Sequence, residues 1–90
     1  MQSRCPACGY PGLAEPPWRH GQPSDEICPC CGLHFGYDDV AGGQAARRTE
    51  VYLRWRRRWI AEGMPWFSRS TSPQPGWDPA VQLRQVEQPE

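Results

Sequence analysis

No stretch of this chain approaches the roughly 18 apolar residues of a membrane span, and Met1-Gln2-Ser3-Arg4-Cys5-Pro6 carries no apolar run that would serve as a signal peptide. A helical membrane protein is excluded on that reading, and a cytoplasmic location with reduced thiols is expected. Apolar residues are scarce throughout: they are 38% of the 90 residues, against nine Gly and eleven Pro. A short, turn-rich chain has room for one domain with one small core, and such domains usually need a covalent or metal staple. Lysine is absent, so all ten cationic side chains are guanidinium groups. An even number of cysteines is also lacking. Five thiols fit a closed disulfide framework poorly and fit thiolate ligation of a metal better.

The charges sum to zero but are unevenly placed. Residues 1–43 hold two Arg and five Asp/Glu, while residues 44–90 hold eight Arg and five Asp/Glu, so the halves carry −3 and +3. Six arginines fall between Arg47 and Arg58.

Two short runs read alike: Cys5-Pro6-Ala7-Cys8-Gly9 and Cys28-Pro29-Cys30-Cys31-Gly32. Proline after the first cysteine fixes φ, and glycine after the second accepts the positive φ of a tight turn that aims backbone amides at the sulfurs. Each run is a metal knuckle in form. Zn²⁺ takes four ligands in a tetrahedron, and each Cys-x₂-Cys turn supplies one edge of it. The 19 residues between Cys8 and Cys28 suffice to bring the edges together, so Cys5, Cys8, Cys28 and Cys31 are expected to bind one structural Zn²⁺. Paired redox Cys-x-x-Cys motifs are the alternative, but the βαβ surroundings of a thioredoxin-like site are missing. Cys30 is the surplus thiol, read as a small buried side chain or as an auxiliary redox handle. Glu26-Ile27-Cys28 and His34-Phe35-Gly36-Tyr37 read as the strands of a short hairpin around the second knuckle.

Helical periodicity begins at Gln44 and runs to Glu62. Trp55, Trp59, Tyr52, Ala45, Ile60, Leu53 and Ala46 share one arc, with Arg47, Arg54, Arg57, Arg58 and Glu50 opposite. Gly63 stands at the expected C-cap, followed by Met64-Pro65. Trp66 to Trp77 reads as an extended loop pinned by Trp66, Phe67 and Trp77. Asp78 at N-cap and Pro79 at N1 open a short helix to about Val86, with Val81 or Leu83 facing inward. Glu87 to Glu90 are expected to fray. The expected fold is therefore a small metal-stabilised α+β domain over residues 1–90. It comprises a zinc-ribbon-like double knuckle with a hairpin (5–40), one long amphipathic helix (44–62), an aromatic loop (66–77) and a short C-terminal helix (79–86).

No catalytic constellation emerges. Four thiolates close the metal shell and leave no position for water, and neither His20 nor His34 has an acid/base or nucleophile partner, so an enzyme is not expected. The Arg-rich helix supports two readings. Arginines neutralise phosphates and aromatics stack on bases, which would make the chain a nucleic-acid-binding zinc ribbon. Against that, the whole chain is neutral and Trp55 and Trp59 lie on the inner arc. Pairing of the arginines with Asp25, Glu26, Asp38 and Asp39, or a protein partner bound through Arg47, Arg54, Arg57 and Arg58, accounts for the same residues.

Glu26-Ile27-Cys28-Pro29-Cys30-Cys31-Gly32 and Phe35-Gly36-Tyr37-Asp38-Asp39, with Trp59-Ile60, Gly63, Pro65-Trp66-Phe67-Ser68 and Gly76-Trp77-Asp78-Pro79, resemble the small bacterial CPCC-type cysteine-rich proteins. The likeness covers most of the chain. It implies an accessory or immunity role in bacterial toxin systems. One departure stands out: the family pattern carries Cys-Pro-Cys-Cys at its first knuckle, whereas here it falls at the second and the first reads Cys-Pro-Ala-Cys.

Overall fold

A computed structural model describes residues 2–87. The two cysteine turns are built by the same hydrogen bonds. The amide of Cys5 donates to the carbonyl of Tyr10 at 2.8 Å, and that of Cys28 to Leu33 at 2.9 Å; Gly9 closes back on Cys5 and Gly32 on Cys28, each at 2.9 Å. Both glycines take the left-handed conformation the turn requires, with φ of 89° and 82°. The first turn is anchored by a bridge between Ser3 and Leu13, and the second by one between Ile27 and His34.

The second bridge lies where a hairpin was expected, but it is a single bridged pair, closed by Cys28 donating to Leu33 and by Phe35 donating to Glu26 at 3.0 Å. The knuckle turn itself consumes Cys28 to Leu33 and leaves too few residues for a regular ladder. The regular antiparallel hairpin lies instead within the segment read as loop, between β1 (Trp18–Arg19) and β2 (Gln22–Pro23). Its two-residue turn has positive φ at both His20 (52°) and Gly21 (78°), the type I′ geometry that matches strand twist.

After a turn at Ala41–Gly43, α1 runs from Ala45 to Ala61. Gln44 gives α1 no side-chain cap, and its first turn holds no acidic residue. Its stability therefore comes from tertiary packing. It ends in a Schellman arrangement, as Gly63 implies: Met64 donates to Trp59 at 2.9 Å and Gly63 to Ile60 at 3.0 Å. α2 (Pro79–Leu83) starts at Asp78, whose Oδ1 accepts from the amides of Ala80 and Val81. The expected helix to Val86 is α-helical only to Leu83; beyond it the bonds tighten to the i→i+3 pattern, Val86 donating to Leu83 at 3.0 Å. Glu87 still donates to Leu83 at 3.1 Å, and the rest of the expected frayed end lies outside the described residues.

The core is the meeting point of the knuckles, and five of its eleven buried apolar members are cysteines. A core lined by so many thiols has little hydrocarbon to hold it closed. Ala7, Leu13, Leu33, Phe35, Trp59 and Leu83 fill its remainder. The buried stripe of α1 is narrower than expected. Trp59 is buried and Tyr52 and Trp55 are half-buried, but Ala45, Ala46, Leu53 and Ile60 are exposed, because the knuckles cover one line of the helix only. Leu83, not Val81, is the inward residue of α2. In the 66–77 loop, Trp66 packs edge-on against Trp77 at 5.3 Å and against Tyr10 at 5.7 Å. Phe67 lies over Gly32 on one side but remains 58% exposed.

Candidate metal centre

The paired turns bring the Sγ atoms of Cys5, Cys8, Cys28 and Cys31 within 4.8 Å of one another, all four buried. Cys5 and Cys31 sulfurs are 3.8 Å apart and those of Cys8 and Cys28 3.7 Å. Four sulfurs bound about 2.3 Å from one ion stand about 3.8 Å apart along the edges of a tetrahedron. The cross-knuckle pairs match that edge, and a disulfide would need about 2.05 Å. All five cysteines are free thiols. This donor set and spacing fit a tetrahedral, thiophilic ion with no open coordination position.

The electrostatics of the bare thiol quartet point the same way. Mutual hydrogen bonding, led by Cys28 for Cys8 and by Cys31 for Cys28, pushes both thiols up, and burial adds to it. Burial opposes ionisation of Cys5, yet hydrogen bonds from Cys28, Cys31, Cys8 and the Cys8 amide outweigh it and hold this thiol well below the usual range. Thiolates packed this closely repel one another, and a dication at their centre would offset that repulsion by taking all four as ligands.

Cys30 is fully buried but lies outside the quartet. Hydrogen bonding to Cys8 holds its thiol low against burial, and Gln82 assists by donating from Nε2 to Sγ at 3.3 Å. Gln82 also donates to the Cys8 carbonyl at 3.1 Å and accepts from the Trp77 indole at 2.8 Å, tying α2 to both knuckles.

Helix α1 fastens to the knuckles through Trp55, which the sequence placed on the inner arc, and through Arg56, which it left unassigned. Arg56 donates to the carbonyls of Ala7 and Pro6 in the first knuckle, and Trp55 Nε1 donates to the Cys31 carbonyl at 3.1 Å. A signal for Arg56 existed: it lies one turn from Tyr52 and just under one turn from Trp59, on the buried stripe, but its charge placed it outside the apolar arc. Asp39 was read as an arginine partner and not as a buried acceptor. Its carboxylate is completely buried and accepts from the Trp18 indole (2.8 Å), the Tyr52 hydroxyl (2.7 Å) and the Gly36 amide (2.6 Å). Arg48 stacks on Trp18, its Cζ 3.5 Å from the ring centroid.

Among the described residues, the expected pairing of arginines with Asp25, Glu26, Asp38 and Asp39 does not occur. Asp39 is satisfied by neutral donors, Glu26 accepts from the amides of Ala14 and Glu15, and Asp38 from that of His34. Among the described residues the ion pair present is Arg58–Glu62 at 3.8 Å, both side chains more than half exposed. Arg47, Arg54, Arg57 and Arg58 are all exposed on α1. His20 sits at the exposed hairpin turn, and His34 stacks on Tyr37 at 5.5 Å.

Fold and site define a small α+β protein with a hairpin, one long and one short helix, and a buried cluster of four cysteines able to bind a metal ion. No helix among the described residues is long and apolar enough to cross a membrane. The chain is similar to two proteins of Bacillus subtilis (strain 168), uncharacterized protein YoaQ (36% identical over 69 residues) and uncharacterized protein YozI (36% over 72). Each match covers 67% of this chain and 58% of the relative, so the chain spans less than two thirds of the length of the curated relatives it matches. No family model and no solved structure matches. The CPCC likeness rests on its motifs alone.

Proposed function

We propose that Cys5, Cys8, Cys28 and Cys31 hold one structural Zn²⁺ in a zinc-ribbon-like centre, and that the chain acts as a non-catalytic interaction module. Its exposed arginine face, Arg47, Arg54, Arg57 and Arg58, engages an acidic protein. The observation that carries the first half is the buried quartet with cross-knuckle sulfurs at tetrahedral-edge spacing. Zinc is preferred over iron because two Cys-x₂-Cys turns closing a four-sulfur shell are the usual frame of a structural zinc site. A closed shell supplies no open position for a substrate.

The second half is supported by arginines left without structural work. The side chains of Arg47, Arg54 and Arg57 make no hydrogen bond or ion pair among the described residues, whereas those of Arg48 and Arg56 on the same helix are engaged internally. A planar guanidinium forms bidentate carboxylate pairs that an ammonium does not. The CPCC-like motifs add an accessory or immunity setting in a bacterial toxin system as the context of this reading.

Elemental analysis of the purified chain tests the metal: one equivalent of zinc in a colourless protein is expected, and a coloured iron form or less than half an equivalent of metal counts against it. Arg54→Glu combined with Arg58→Glu tests the face. Loss of a specific partner at unchanged zinc content is expected, and retention of every partner reduces the face to a solvated surface. The nucleic-acid alternative separates by salt, since phosphate binding weakens linearly in log[salt] with a slope set by the number of contacts.

A further inference from the structure

We infer that the cleft between the C-terminal half of α1 and residues 65–69 is the seat of an acidic peptide segment carrying one apolar anchor. This rests on the protein-interaction reading above and names the chemistry of its partner. The cleft, about 890 Å³, is lined by Trp55, Arg58, Trp59, Trp66, Phe67 and Arg69, with Glu62 on its rim.

Its walls are held in place before any ligand arrives. Trp59 Nε1 donates to the Pro65 carbonyl at 2.9 Å and Trp55 Nε1 to that of Cys31. Across the cleft, Phe67 donates its amide to the Cys30 carbonyl at 3.0 Å and Ser68 to that of Pro29 at 2.8 Å, so residues 67–68 lie along the second knuckle. A partner binding here orders little of the protein, which favours affinity. The metal knuckle serves as the rigid back of the cleft.

The free chemistry of the cleft is apolar and cationic. All three indole N–H groups are committed to carbonyls, that of Trp66 to Thr71 at 2.8 Å; Trp59 itself is buried, so the half-buried rings of Trp55 and Trp66 supply the apolar surface of the walls. Phe67 adds an exposed ring whose other side rests on Gly32. Such a surface takes an aliphatic or aromatic side chain. Arg69 has no hydrogen bond or ion pair among the described residues, and Arg58, stacked on Trp55 at 4.2 Å, has only the loose exposed pair with Glu62. Two guanidinium groups against one carboxylate select an acidic ligand, and Arg54 and Arg57 extend the positive surface along α1. The neighbouring cleft beside Tyr10 and Trp77 holds one arginine, Arg4, against one aspartate, Asp78, so charge there selects nothing. A nucleic-acid strand is less well served than a peptide, because Glu62 faces its phosphates and the chain as a whole is neutral.

The test titrates the full, metal-loaded chain with a short Asp/Glu-rich peptide carrying one central leucine, followed by tryptophan fluorescence and calorimetry. Controls are the same peptide with the leucine changed to serine, the same peptide with its acids changed to amides, and single-stranded DNA of matched charge. Saturable binding of the first peptide is expected, weakened about tenfold or more in either peptide control and by Arg69→Glu or Phe67→Ser, since anchors and desolvated charges dominate small interfaces. Both substituted side chains are exposed, and zinc content verifies that each variant is folded. Peptide binding that survives Arg69→Glu and Phe67→Ser but is lost in Arg54→Glu with Arg57→Glu overturns the cleft and leaves the arginine-face reading standing. Absence of peptide binding, or tighter binding of DNA, overturns both.

Discussion

Arg56 reaches from the middle of α1 to the turn between Cys5 and Cys8, its Nε 2.7 Å from the carbonyl of Ala7, 49 residues away, and its Nη2 2.8 Å from that of Pro6. A guanidinium fixed on the first knuckle does two things at once. It holds the turn in the form that aims both sulfurs inward, and it places a cation beside a centre that carries two net negative charges once four thiolates bind a dication.

Substitution of Arg56 by Gln or Lys is therefore expected to destabilise the protein by about 1.5–3 kcal/mol, the range for hydrogen bonds from a charged donor. Transfer of metal to a chromophoric chelator should speed up in the same variants. Lysine is no adequate replacement, because one ammonium cannot bridge two carbonyls in the fork geometry. Arg57→Gln, one residue on and exposed, should leave melting and metal release unchanged within about 0.5 kcal/mol. Equal effects at both positions would show that only helix charge matters.

Metal removal should unfold the chain. With five cysteines in a small core, much of the folding free energy is expected to come from an ion that draws the thiols together. A strong chelator is expected to abolish the cooperative thermal transition, and Cys→Ser at Cys5, Cys8, Cys28 or Cys31 should do the same. Cys30→Ser should keep full metal stoichiometry at a cost of about 1 kcal/mol, since a hydroxyl still accepts from Gln82. A chelator-insensitive melt would remove the structural role of the metal.

The parts of this fold legible in the sequence are those whose chemistry is local. The knuckles declare themselves because Pro6 and Pro29 preset one dihedral and Gly9 and Gly32 accept another, all within five residues of chain. The ends of the helices are equally local, in Gly63 and in Asp78-Pro79. What was not legible depends on partners far along the chain. Asp39 is buried because Trp18, from 21 residues before, and Tyr52, from 13 after, converge on it. Arg56 and Arg48 turn their guanidinium groups onto distant carbonyls and an indole, a use of arginine that a division into apolar and charged faces assigns to solvent. The hairpin at 18–23 hid among prolines because two strands of two residues carry no alternation to read.

The Asp39 cluster carries a pH dependence with a definite sign. Burial, and after it the hydrogen bond to Asp39, raises the Tyr52 hydroxyl above the usual phenol value of about 10. A group whose folded value is raised contributes stability that is fully present below the unfolded value and lost as pH climbs through the folded one. Stability should thus fall on the alkaline side, above about pH 10, and Tyr52→Phe should flatten that fall while costing about 1–2 kcal/mol at neutral pH through the lost donor to a buried carboxylate. Absorbance titration of tyrosinate supplies the check: Tyr52, and Tyr10, raised chiefly by burial, should ionise late, and the late component should shrink in Tyr52→Phe. An unchanged titration curve in the variant would place the late group elsewhere.

Gln82 is the point at which the C-terminal helix seals the thiol cluster, and its loss should be visible in the reactivity of a single cysteine. Its amide is only 8% exposed, with Oε1 accepting from Trp77 and Nε2 shared between the Cys8 carbonyl and the Cys30 sulfur. Gln82→Ala leaves an indole donor and a knuckle carbonyl without partners, and about 2–3 kcal/mol of destabilisation is expected from two such groups. It also uncovers Cys30, which is not one of the four convergent thiols. In a metal-loaded Gln82→Ala variant, one thiol should therefore react with a disulfide reagent well before the metal is released, whereas in the unsubstituted chain thiol reaction and metal release should proceed together. Gln82→Glu separates sealing from hydrogen bonding, because it nearly preserves volume but brings a second acceptor to the Cys8 carbonyl and the Cys30 sulfur. If that variant behaves like the unsubstituted chain, the amide acts by filling space alone. If it exposes Cys30 as Gln82→Ala does, the hydrogen bonds from Nε2 hold the seal.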